Sequence, residues 1–172
     1  MKPEQKTVAI GAASGIVSML VLVWLLTTWL PPPTGIETMA DRIAYALRIN
    51  VVAILPFFAM IISVANSRFL SDAIDPTLQA ETPAQIVDGR VTDNTLQQNF
   101  VFAVASLALA TLVPKAYLQV LWACAIVFFV ARFVFWFGYR KHPLYRAPGM
   151  SSTAYLNLGM ILYVLYAISF GR

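Results

Sequence analysis

Between Val8 and Leu30 the chain carries no charged side chain, and about 20 helical residues at a rise of 1.5 Å each are enough to cross a hydrocarbon core of ~30 Å. Ile49–Asn66, Asn94–Val113 and Thr153–Phe170 share this property, and Ala116–Tyr139 breaks it once, at Arg132. Five transmembrane helices are therefore expected. Composition leaves no room for a soluble domain. Apolar residues make up 59% of the chain and charged residues 12%, with a mean hydropathy of +0.72, whereas soluble domains hold roughly 45–50% and about 25%. The first stretch exceeds the ~7–15 apolar residues of a signal peptide and ends in Pro31-Pro32-Pro33 without a small-residue cleavage site, so it reads as a retained span. Pro56 interrupts the second stretch and predicts a kink whose freed carbonyl finds another partner.

The net charge of +4 comes from basic residues at the ends of the apolar runs. No Lys/Arg cluster alternates with exposed aromatics, which argues against a nucleic-acid partner. Cys124 is the single cysteine. Disulfides within the chain and cysteine-based metal sites are thereby excluded, no metal site is expected, and Cys124 reads as a small buried apolar residue.

Five spans alternate the flanking segments. One side then holds Lys2, Lys6, Arg68, Arg90, Arg140, Lys141 and Arg146, seven basic residues, and the other Arg42, Arg48, Lys115 and Arg172, four. The positive-inside rule puts the N-terminus in the cytoplasm. Two polar loops, Ser67–Asp93 and Arg140–Ser152, are expected on the same side. The longer contains Asp72, Asp75, Glu81, Asp88 and Asp93 and reads as a solvated acidic connection.

Polar residues inside the spans carry the remaining information. Arg90, Asn94 and Gln97 are spaced i, i+4, i+7 and share one helix face, as do Arg132, Phe135 and Tyr139 at i, i+3, i+7. Arg132 lies about eight residues, or ~12 Å, from the nearer end of its span, too deep to snorkel easily. Its guanidinium should face the bundle interior or a wet cavity. Two readings stand: a functional site, and an arginine neutralised by interhelical hydrogen bonds.

The segment Arg90-Val-Thr-Asp-Asn94-Thr-Leu96-Gln-Gln-Asn resembles the Arg-x-x-x-Asn-x-x-Glu segment of the MAPEG superfamily, the membrane proteins of eicosanoid and glutathione metabolism. Ala131-Arg132, then Gly138-Tyr139 and Arg146, is similar to the stretch that ends the third helix in leukotriene C4 synthase and microsomal glutathione transferases. Arg68 sits where those enzymes carry an arginine entering their cytosolic loop. The likeness runs from about Ala46 to Phe170.

This resemblance implies an all-α membrane protein: a four-helix transmembrane bundle over residues 46–172, with an additional N-terminal transmembrane helix and linker over residues 1–45. It implies a homotrimer in a bacterial inner membrane or the endoplasmic reticulum, with glutathione as co-substrate bound between subunits. Arg90, Asn94, Gln97, Arg132 and Tyr139 would line that site, Arg68 would reach in from a neighbouring subunit, and Arg146 would be the catalytic residue that holds the thiolate. A lipophilic small molecule would enter from the membrane lipid.

Departures from the pattern matter too. Gln97 replaces the family's glutamate, removing a carboxylate for the glutathione amino group. Phe135 stands at a tyrosine position of leukotriene C4 synthase, and Thr92 and Gln98 also differ. The implied function is a glutathione-dependent transferase or peroxidase acting on lipophilic electrophiles or lipid hydroperoxides. The alternative is a non-catalytic member of the same fold that binds lipid or a partner protein. A transporter is disfavoured, because no paired inverted halves occur.

Overall fold

The computed structural model describes residues 1–171. Arg172, counted above among the basic residues of one side, lies outside them. Five helices follow in order: α1 (Pro3–Trp29), α2 (Met39–Phe69), α3 (Pro83–Leu112), α4 (Val120–Lys141) and α5 (Ala147–Ser169). All five are long and apolar enough to cross a membrane, which makes the chain an all-α, multi-pass integral membrane protein.

Four helices begin earlier than their expected spans, α1 already at Pro3. The start of α2 at Met39 is set by Thr38, whose hydroxyl accepts from the Asp41 amide while the Asp41 carboxylate accepts from the Thr38 amide. In α3 the same box is made by Thr82 and Gln85 with Pro83 at the first helical position. α5 starts at Ala147, ahead of Thr153. In α1, α2 and α3 charged residues in the first turns hid these starts, because a helix continues into the interface where its charges are hydrated; the first turns of α5 carry no charge. The expected Ser67–Asp93 loop is accordingly short, and Asp88 lies inside α3 rather than in a solvated connection. That connection is held by the Arg68–Glu81 pair at 2.8 Å and by Gln85, which donates to the Ser67 carbonyl and the Ser71 hydroxyl. Within it, the hydroxyl and backbone N–H of Thr77 hold the Asp75 carboxyl below its ordinary range.

α2, α3, α5 and α4 form a ring of neighbours, and α4 touches every other helix. More than half of its apolar window is buried, 56%, against 11% for α1. α4 is thus the centre of the bundle and α1 an outer layer on α4 and α5. In lipid there is little hydrophobic drive between helices, so close packing and hydrogen bonds must hold α1 in place. Gly11-Ala-Ala-Ser-Gly15 supplies both. A Cβ at Gly15 would collide with the Pro148 carbonyl and the Ser151 hydroxyl. Ser151 and Ser152 donate to the Ala12 and Gly15 carbonyls at 3.0 and 2.9 Å. α1 therefore runs alongside α5 in the same direction, and the N-terminus lies at the same end of the bundle as the Arg146 turn.

The central core is apolar, with Phe102 against Phe128 at a ring distance of 4.6 Å and Ile49, Leu121 and Cys124 around them. A second cluster of Met60, Val91, Phe135, Trp136 and Tyr139 lies toward the end where α3 and α5 begin.

Candidate functional site

From that end a ladder of polar side chains descends between α3, α4 and α5. Its first rung is Asp88, 3% exposed, whose Oδ1 accepts from Arg140 Nε at 2.7 Å and Trp136 Nε1 at 2.9 Å. Its Oδ2 accepts from a terminal nitrogen of Arg140, so the guanidinium grips the carboxylate with two nitrogens. Arg140 also lies over the Trp136 ring at 4.9 Å.

Two helical turns deeper on α4 is Arg132, fully buried. It donates to Asn94 Oδ1 at 3.0 Å, Thr95 Oγ1 at 2.8 Å and Thr153 Oγ1 at 3.1 Å, and its Cζ lies 4.1 Å from the Phe135 ring centroid. Both threonine hydroxyls donate back to their own helices, to the Val91 and Gly149 carbonyls, which leaves their lone pairs for the guanidinium. No carboxylate neutralises Arg132 among the described residues, and its Nε has no partner there. The lowest rung is Asn157, which donates to the Gln98 side chain and backbone at 3.0 and 3.1 Å.

At the surface, the Arg146 guanidinium lies 4.9 Å over the ring of buried Tyr139. Tyr139 meets Phe135 edge-on at 6.0 Å. A continuous stack of cation, ring, ring and cation thus joins Arg132 to Arg146 through the interior. Close packing of α5 on α4 at Gly149, where a Cβ would strike the Phe135 and Ala131 backbone, sets this spacing.

The residues singled out in the sequence fall into three groups. Asn94 and Arg132 meet directly, as do Tyr139 and Arg146. Arg90 and Gln97 are exposed and make no side-chain hydrogen bond among the described residues. Arg68 is occupied by Glu81. The face of α3 turned into the bundle is Asp88, Val91, Thr95 and Asn99; Asn94 sits at its edge, well inside the helix and far from any capping position. Asp88, Trp136, Arg140, Thr95 and Thr153 were not anticipated. Their spacing was a usable signal, since Asp88, Thr95 and Asn99 at i, i+7, i+11 and Arg132, Trp136 and Arg140 at i, i+4, i+8 each share a face.

The arginines at this end of the bundle divide into paired and unpaired, and the carboxylates of Asp72, Asp75 and Asp93 at the same end are also without a salt bridge among the described residues. Arg68 and Arg140 are paired with Glu81 and Asp88, whereas Arg90, Arg132 and Arg146 have no carboxylate within salt-bridge distance among the described residues. Of these, the exposed Arg90 and Arg146 suit an anionic ligand.

A family model described as the MAPEG family matches residues 43–166. That stretch includes every candidate residue from Arg68 to Arg146 and leaves α1 outside. No curated protein and no solved structure matches the chain.

Proposed function

Because the chain belongs to the MAPEG family, we propose that its arginine-rich end binds glutathione at the cytoplasmic membrane face and activates the thiol toward lipophilic electrophiles or lipid hydroperoxides. The observation that carries this reading is the set of guanidinium groups without carboxylates, Arg90, Arg132 and Arg146. Glutathione brings two carboxylates, for which arginine forks are the natural partners. In this reading Arg90 and Gln97, both exposed on one protomer, face a subunit boundary in a homotrimer, and Arg68 of one subunit approaches the site of the next.

Arg146 is the residue assigned to the sulfur. Tyr139 supports its guanidinium from below, and one face stays open to solvent. A free thiol has a pKa near 8.5, and only the thiolate attacks. Lowering that value by about two units takes on the order of 2.7 kcal/mol, within reach of one cation in a partly dry site. The thiolate then bonds to the electrophilic carbon and the leaving group departs. With a hydroperoxide, it attacks the terminal peroxide oxygen and the O–O bond breaks, so that the sulfur is oxidised to a sulfenic acid and the hydroperoxide is reduced to the alcohol; a second glutathione then converts the sulfenic acid to the disulfide and water.

Titration of the purified protein with glutathione, followed by thiolate absorbance and thermal stability, tests the proposal. Arg146→Ala should slow conjugation about a hundredfold, the loss of roughly 2.7 kcal/mol from the transition state. It should also raise the bound thiol's pKa while changing glutathione affinity much less than Arg90→Ala does. Unchanged thiolate formation in Arg146→Ala would remove that residue from the chemistry.

One observation favours the second reading, a non-catalytic binder of lipid or a partner protein. Asn94 and Arg132 already satisfy each other, and Gln97 supplies no carboxylate for an amino group. Glutathione binding without thiolate at neutral pH, or no binding, would establish that reading instead.

A further inference from the structure

α1 lies outside the stretch shared with the family, and its glycine face meets the segment that follows Arg146. A Cβ at Gly11 would lie 3.1 Å from the Ala147 Cβ and 3.3 Å from the Pro148 ring, and one at Gly15 would strike the Pro148 carbonyl. α1 also lies against the Pro143–Arg146 turn itself. Two hydroxyls of α5 fasten this contact. Ser152 Oγ is 2.9 Å from the Gly15 carbonyl oxygen and 2.8 Å from that of Pro148, and Ser151 Oγ is 3.0 Å from the Ala12 oxygen and 3.1 Å from that of Pro148. Each hydroxyl has a single proton, which is shared between the first turn of α5 and the backbone of α1.

The other side of the same segment is held by α4. A Cβ at Gly138 would strike the Tyr145 carbonyl, and one at Gly149 would strike the Ala131 and Phe135 backbone. The backbone on both sides of Arg146 is therefore fixed between two helices. The Arg146 guanidinium makes no salt bridge among the described residues and rests only on the Tyr139 ring. Its place over that ring follows from the place of its backbone. A cation's effect on a thiolate falls with distance, and a misplacement of about 1 Å can cost on the order of a hundredfold in rate. Acyl chains could fill the space that α1 takes, but they impose no fixed backbone distance and offer the serine hydroxyls no acceptor.

We infer that α1 is part of the frame of the thiol site: it clamps the Arg146 turn onto α4, and Gly15 and Ser152 are positioning residues for the guanidinium. This role rests on the assignment of Arg146 to the glutathione sulfur. The additional helix then sets the acidity of the bound thiol without touching glutathione.

The test is a pH titration of bound glutathione, read by thiolate absorbance, with the full chain in nanodiscs. Gly15→Leu should raise the bound thiol's pKa by about one unit, which lowers the thiolate fraction at neutral pH by up to about tenfold, while glutathione affinity below that pKa stays the same. Ser151→Ala combined with Ser152→Ala removes both bonds to α1 and adds no atom; it should move the pKa the same way by a smaller step. In an Arg146→Ala background Gly15→Leu should shift the pKa no further, because the two changes act through one group. An unchanged pKa in either folded variant would overturn the role and leave α1 an anchor. An undiminished shift in the Arg146→Ala background would overturn it too, since α1 would then act on the bundle at large. A parent protein that binds glutathione without forming thiolate at any pH would refute the glutathione reading itself, and this role with it.

Discussion

The two partners of the Asp88–Arg140 pair differ in how each reacts to loss of the other. Asp88 has 3% of its side chain exposed and Arg140 41%. Removing the arginine strands a buried carboxylate on one indole donor, while removing the carboxylate's charge leaves a guanidinium that reaches water. Arg140→Ala should therefore destabilise by about 3–5 kcal/mol, and Asp88→Asn by only about 1 kcal/mol. Unfolding of the detergent-solubilised variants measures both. The double variant should cost clearly less than the sum, because the charge stranded by the first change is removed by the second. Additive costs would mean that the pair is not coupled.

Helix positions depend on a few close approaches. α1 has little of its surface buried, and what holds it is the Gly11–Gly15 face against the start of α5 with two serine-to-carbonyl bonds. Interhelical hydrogen bonds in membranes average only about 0.6 kcal/mol each, so steric fit has to carry much of the contact. Gly15→Leu should displace α1 while leaving α2–α5 folded. A Cβ built at Gly11 lies 3.1 Å from the Ala147 Cβ. Cysteines introduced by Gly11→Cys and Ala147→Cys should thus form a disulfide readily in the parent and much more slowly with Gly15→Leu. Equal crosslinking rates would show that the Gly15 contact does not fix the helix.

For the molecule as a whole, five helices place the turns after α2 and α4 at the same end as the N-terminus and the α3–α4 turn at the other. In a Cys124→Ala background, cysteines introduced by Asp72→Cys and His142→Cys should label from the compartment that holds the N-terminus. Lys115→Cys should label from the opposite one. Reaction of positions 72 and 142 from different sides would break the five-span architecture. The proposed cytoplasmic orientation is read from the same experiment in sealed vesicles.

What the sequence determined by itself is the solvent and the number of crossings. Uncharged runs of about 20 residues have no other stable environment than lipid, and the depth of Arg132 required an interior partner. Family membership was legible from the order and spacing of Arg90, Asn94, Arg132, Tyr139 and Arg146. Helix starts were less legible, although Thr38-x-x-Asp41 and Thr82-Pro83-x-Gln85 signal them, because counting uncharged residues ends at the first charge. Periodicity shows which residues share a face on one helix, but not which face of which neighbour it meets. Only the tertiary structure paired Asp88 with Arg140, turned Thr95 and Thr153 onto Arg132, and left Arg90 and Gln97 outside. It alone set the first turn of α5 between α4 and α1, since such a contact arises from the angle between packed helices, which no single helix's sequence encodes.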